Sequence, residues 1–443
     1  MKNSVINFAK EPLNFILVYF FLVAFIDIRF IPVTEFKQDA VLIFALVLPI
    51  TSFLFLTKFD LREAFSKALN GPSLLIVVFL IWSLIALPFS HNKLVSSFYI
   101  LGGSAVFYSG FVLVKERIDQ IWFKKMLLVI STVGVVAAVF SSIFIFLGQV
   151  FPNFSSVFLS VDVNLGVISI KDVPVLESYY QHPNTFALLL FYSLVATIAL
   201  ALLTKGKRTH RFIIASFCIL LVSLVLTFSR TSVIGASIFS LLISPIAFRK
   251  KNYLPLVSLF LLVLSFMVIT FASLYIGESA AVALAQGEGE KQVVINSDSS
   301  VRQQLSKSTL SNRQRLWESS INIIKQNPIF GVGLGNSVKA LEQDLPEISS
   351  RYRGLSSHNT YLRVAVESGI VGLAIYLSLL ASLGILFLKK LKKLRTLHWV
   401  ILAFIISMLS IQLVETTFLL GTAFRSFYFL AILASGFSLL QRA

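Results

Sequence analysis

Three side chains in this 443-residue sequence have the right types to hold an anion beside a reacting hydroxyl: Arg230 in "LTFSRTSVIGAS", Arg313 in "SNRQRLWESS" and His358 in "SSHNTYLRVAVESGIVG". A guanidinium binds phosphate or carboxylate oxygens two at a time, and an imidazole is the side chain best suited to take a proton near neutral pH. Arg313 falls in the first turn of a predicted helix, where the macrodipole opposes a cation, so local helix stability does not explain it. An anion would, because free backbone N–H groups, the positive helix end and the guanidinium form a phosphate-binding corner. The structural alternative is a solvated arginine on a surface helix. Arg230 lies in a short polar patch between two apolar runs, and an arginine deep in hydrocarbon costs roughly 2.5–3.5 kcal/mol. It either serves a function there or snorkels to lipid phosphates at a tight helical hairpin. His358 stands where a long polar segment gives way to an apolar run. Asn359 and Thr360 either orient its ring or cap the following helix.

The elements that must position these residues follow from composition. The chain is 56% hydrophobic and only 13% charged, with 42 phenylalanines, and apolar runs of the roughly 20 residues needed to cross a bilayer recur along it. That predicts an all-α, polytopic membrane protein with about 12 spans. They lie near 12–30, 39–57, 73–90, 95–114, 126–148, 184–204, 211–228, 231–248, 254–276, 359–388, 398–415 and 424–440. The first is expected to be an uncleaved span, since no small-x-small cleavage pattern follows it. An even number of spans returns the C-terminus to the side of the N-terminus. Most of the 38 Lys and Arg, including "KKLKKLR" at 389–395, then gather on that side, which the positive-inside rule makes cytoplasmic. The same bias accounts for the net charge of +17 without nucleic acid. The chain divides into spans 1–9 (1–276), a large outward-facing loop (277–357) and spans 10–12 (358–443). Cys218 is the only cysteine, which excludes an intrachain disulfide. No half-to-half repeat of the kind that marks many transporters is evident.

Two outward segments exceed what a connection requires. The stretch 149–183 has β-branched residues that suit a short strand or the membrane surface. In the second, "SNRQRLWESSINIIKQNPIFGVGLGN" reads as a helix capped by Ser311 with Gln314 three residues on, and ended by Pro328. Gly331, Gly333 and Gly335 are expected to leave a flexible turn. Trp317, Ile321 and Ile324 should share one face, with Arg313 on that same face one turn before Trp317. Arg363 and Glu367 are four apart on the next helix and should pair. Asp27, Glu415 and Arg425 fall near the outer boundary without an assigned role. No Asp-x-Asp pair or ligand-spaced histidine cluster lies outside the membrane, so neither a metal nor another cofactor is expected.

The ordered set "SRTS", Arg313-x-x-x-Trp317 followed by "NPIFGVGLGN", and "HNTYLRVAVESGIVGL" resembles the O-antigen ligase and polymerase superfamily of bacterial envelope glycosyltransferases. "HPN" at 182–184 is similar to the family's pattern ahead of an earlier span. The resemblance covers mainly residues 180–375. It implies metal-independent, inverting transfer of a glycan from undecaprenyl diphosphate to an acceptor hydroxyl at the periplasmic face of the inner membrane. The acceptor would be lipid A core for a ligase, or another carrier-linked repeat for a polymerase. By the same resemblance Arg230 and Arg313 would hold the diphosphate and His358 would meet the acceptor hydroxyl. Arg315, Asn359, His182 and Asn184 are secondary candidates, and Arg315 does not match the motif position. A lipid or polysaccharide transporter is the competing class. It is disfavoured because the spans are almost free of charge at their centres while the polar groups collect on one side.

Overall fold

Long apolar runs with few breakers leave the chain one way to satisfy its backbone in lipid, as helices whose hydrogen bonds close within each segment. The computed structural model describes residues 69, 71–112, 114–115, 118–150, 160–164, 169–174, 183–204, 206–227, 229–285, 313–346, 356–390, 395–416 and 424–441. Among these residues, six helices are long and apolar enough to cross a membrane, and shorter apolar helices accompany them. The protein is an all-α polytopic membrane protein, with one small β-hairpin among the described residues. The helices are α1 (Ser73–Ala86), α2 (Lys93–Phe107), α3 (Gln120–Val150), α4 (Pro183–Leu203), α5 (Lys207–Leu226), α6 (Arg230–Arg249) and α7 (Leu254–Ala285). After them come α8 (313–326), α9 (Ser337–Asp344), α10 (Thr360–Lys390), α11 (Thr396–Gln412) and α12 (Phe424–Gln441). The expected spans at 12–30 and 39–57 lie outside the described residues, and so does Ser311.

The described residues up to Ile130 and from Leu316 onward form one unit; those from Ser131 to Arg315 form a second. In the second, α4 is the buried centre, with α5 and α6 packed against it and α7 against α6. Without a hydrophobic drive between helices in lipid, small residues and hydroxyls do the joining. Ser131 Oγ and Thr197 Oγ1 lie 2.6 Å apart, and the Ser240 hydroxyl donates to Ser258 at 3.2 Å. The hairpin pairs β1 (Ser160–Asn164) with β2 (Ser169–Pro174) antiparallel, Val161 opposite Val173, within the stretch whose β-branched residues suit a strand.

In the first unit α12 is buried from Tyr428 to Leu440, and Phe437 meets Phe111 edge-on at 5.9 Å. Phe111 belongs to a π-turn, Tyr108–Val112, that ends α2 in place of the expected regular helix through residue 114. α1 packs along α10. The expectation of one continuous span over 359–388 needs correction: α10 is broken at Gly369, where φ is 69° and ψ −176°. The break frees backbone groups, and the chain from Pro328 to Gly333 fills it. Val332 N–H donates to Val366 O at 2.8 Å, Gly333 N–H to Glu367 O at 3.0 Å, and Ile370 N–H to Pro328 O at 2.8 Å. The Trp82 indole takes the Ser368 carbonyl at 2.9 Å. Non-helical backbone within a candidate span thereby has its hydrogen bonds satisfied by protein, the condition under which it is tolerated.

The same contacts overturn the flexible turn expected after Pro328. Gly331, Gly333 and Gly335 all have positive φ and lie in a fixed loop, with Ser96 Oγ bonded to Leu334 O and His91 N–H to Val332 O. Burial on α8 falls on a stripe beside the Trp317, Ile321 and Ile324 face: Leu316, Ser319, Ser320 and Ile323 are buried, whereas Ile321 is 44% exposed. Two serines at the centre of that stripe let α8 approach Val332, Leu341 and Val366 closely, a packing that a count of apolar residues alone misses.

Candidate active site

His358 sits in the turn that opens α10, with φ at 47°. A non-glycine residue there carries roughly 1–2 kcal/mol of steric cost, and such positions persist only where their surroundings fix them. Here every flanking group is tied. The Trp317 indole donates to Ser357 O at 2.9 Å, fastening α8 to the turn. The His358 N–H donates to Ser356 Oγ at 3.3 Å, and Ser357 Oγ donates to Asn359 O at 3.1 Å. Thr360 Oγ1 donates to Glu415 O at 2.9 Å, and Asn359 Nδ2 to Leu413 O at 2.9 Å, so the turn is clamped to the end of α11.

The ring itself faces Glu415. His358 Nδ1 is buried and lies 3.6 Å from Glu415 Oε2, the imidazole side chain being 30% exposed and the carboxylate 5%. A carboxylate against one ring nitrogen orients an imidazole, leaving the other nitrogen for an outside hydroxyl. The sequence places Glu415 near the outer boundary but names no partner for it, because nothing local connects residues so far apart. Its one signal is an acidic side chain closing an otherwise apolar run.

Asn359 resolves toward the capping alternative. Its Oδ1 accepts from the Leu362 N–H at 3.0 Å, the bond an N-cap makes. Asn359→Ala is therefore expected to cost about 1 kcal/mol of stability, read as a lower melting temperature of the detergent-solubilised protein. The pairing of Arg363 with Glu367 is present, Nε to Oε1 at 2.8 Å, and Ser337 Oγ donates to the same carboxylate oxygen at 2.5 Å. Glu367 is fully buried. This network ties the start of α9 to α10 behind the histidine turn.

Arg313 is the first described residue of α8, half-buried and one turn before Trp317. Arg230 is the first residue of α6 and exposed; Ser229 before it makes no side-chain cap bond. The turn ahead of Arg230 is lined by hydroxyls: Thr227 Oγ1 accepts from the Ser229 N–H, and Ser229 Oγ lies 3.3 Å from both Thr231 Oγ1 and Ser232 Oγ. Arg230 thus stands at a helix N-terminus, where the macrodipole favours an anion. Arg315 is exposed, and Asn184, second residue of α4 after Pro183, is half-buried. His182 lies outside the described residues. Arg230, Arg313 and Asn184 fall in the second unit, and His358 with Asn359 in the first.

Residues 214–377, which run from α5 into α10 and include Arg230, Arg313 and His358, match the family described as O-Antigen ligase. No curated protein matches the chain.

Proposed function

We propose that this chain, which carries an O-antigen ligase domain over residues 214–377, transfers a glycan from undecaprenyl diphosphate to an acceptor hydroxyl, with lipid A core as acceptor, at the periplasmic face of the inner membrane. The observation that carries the reading is His358, held in a strained turn with Nδ1 turned to Glu415 and the rest of the ring partly open. The other ring nitrogen takes the proton as the acceptor oxygen attacks the anomeric carbon. The bond from that carbon to the diphosphate oxygen breaks, its electron pair leaves with the carrier diphosphate, and the centre inverts. A sugar diphosphate already has a good leaving group, so the remaining demands are charge stabilisation and hydroxyl activation. Arg230 and Arg313 meet the first demand, His358 the second. A second carrier-linked repeat in place of lipid A core would make the same donor chemistry a polymerase.

The test uses purified full-length protein with undecaprenyl diphosphate-linked glycan and lipid A core. Arg230→Ala and Arg313→Ala are each expected to lower transfer by about 10²-fold, with Lys at either position recovering part of the loss because charge returns without the bidentate fork. Transfer near the parent rate by both well-folded alanine variants would remove the diphosphate assignment. Chain extension on the carrier in place of ligation to lipid A would select the polymerase.

A further inference from the structure

The loop that fills the break in α10 carries apolar side chains outward. Ile329 is 54% exposed although its neighbours are pinned: Pro328 O accepts from Ile370 N–H, and the Phe330 ring is stacked between Phe89, at 4.3 Å, and Trp82, at 5.2 Å. Phe89 is 58% exposed on the outer side of that stack, and Ile370 is 55% exposed beside the loop. Burying the polar backbone of this loop while leaving its isoleucine in water would be a poor bargain, since a large exposed apolar patch marks a contact surface.

Depth identifies the contact. From Ile370 to Lys390 the helix rises about 31 Å, which matches a hydrocarbon core of about 30 Å. Exposed apolar residues face outward along it, from Ile370 and Val371 through Leu377 and Ile385 to Leu388, and Lys389 and Lys390 end it. Ile370 therefore lies at one edge of the hydrocarbon, with Ile329 beside it. α1 supports the same level. Its 14 helical residues and the 3₁₀ turn Leu87–Phe89 reach only about 27 Å. Its exposed face, including Val78, Ile81 and Ile85, leads to Phe89 and the stacked rings.

We infer that Ile329 and Phe89 form an interfacial wedge in contact with bilayer acyl chains, anchoring the segment that carries α8 and α9 to the membrane edge. The occupant is bulk lipid, because the patch continues the lipid-facing surfaces of α1 and α10 without a groove of its own. The inference concerns membrane contact alone and is independent of the reaction.

The test starts from full-length protein with Cys218→Ser, since that is the only cysteine. Single Ile329→Cys, Gln343→Cys and Ile385→Cys variants are labelled with an environment-sensitive fluorophore and reconstituted into phosphatidylethanolamine and phosphatidylglycerol vesicles. Ile329→Cys should be quenched by lipids carrying a nitroxide high on the acyl chain and be several-fold less sensitive to aqueous iodide than Gln343→Cys, which reports an exposed position on α9. Ile385→Cys sets the response of a position inside the span. Iodide quenching at 329 equal to that at 343, with no response to nitroxide lipid, would overturn the inference. Phe89→Cys gives the same two readings from the other side of the ring stack and decides the matter if Ile329→Cys does not fold.

Discussion

Transfer by a His358→Gly variant is expected to fall by about 10²–10⁴-fold, the usual worth of a general base, while its thermal unfolding midpoint holds at or above that of the parent. The two halves of this result have one cause. At φ 47° the histidine occupies backbone space that costs a side chain roughly 1–2 kcal/mol and costs glycine nothing. The extra unfolded-chain entropy of glycine takes back about 0.5–1 kcal/mol. Removing the ring also leaves the Glu415 carboxylate without the imidazole, although that carboxylate is near the end of α11 and its backbone carbonyl keeps its bond from Thr360. Stability should therefore change little or improve, while transfer collapses. A residue placed for packing would show the opposite pattern. Glu415→Gln, which keeps the shape and removes the charge, should lower transfer by less than loss of the ring itself, since it leaves the imidazole in place and disturbs only its orientation. Activity in well-folded His358→Gly close to that of the parent would end its assignment as the base.

How much of this is legible in the sequence depends on how far the deciding contact reaches along the chain. Span positions follow from runs of apolar residues, and α4, α5, α6, α11 and α12 begin within a few residues of where hydropathy places them. Arg363 and Glu367 pair because a helix puts positions four apart on one face. Burial within the bundle is another matter. α4 is apolar all round and central to its unit, yet in sequence it looks like a span that faces lipid. The partner of His358 lies beyond the end of α11, more than fifty residues on, so no spacing rule could name Glu415. The inward face of α8 turns on two serines that a hydrophobicity count scores as polar. The break in α10 was hidden for a related reason: "VESGIVGL" keeps a helical period through Gly369, and the departure comes from a loop that is distant in sequence and takes over the freed hydrogen bonds.

That break makes Gly369→Ala the most damaging single-methyl change to expect. At φ 69° the residue is already in the region that penalises a side chain, and an added Cβ would lie 1.9 Å from Ile329 O, a backbone atom that has no rotamer to retreat into. The loop must move. If it does, the carbonyls of Val366 and Glu367 lose Val332 N–H and Gly333 N–H, and Ile370 N–H loses Pro328 O. Each buried group left unpaired costs about 1–3 kcal/mol. With the backbone term added, the total exceeds the roughly 4–5 kcal/mol that marks an exceptional substitution, enough to unfasten α8 and α9 from α10. Gly384→Ala is the matched control on the same helix, since its added Cβ meets nothing within 4 Å. It should gain up to about 1 kcal/mol from helix propensity. Thermal unfolding and limited proteolysis of the two variants in lipid nanodiscs read the contrast. Gly369→Ala should expose cleavage sites around 326–336 and melt well below the parent, while Gly384→Ala should be as resistant as the parent. Equal protease resistance and equal melting for both would mean that the loop does not close the break, and the clamp behind the His358 turn would lose its physical basis.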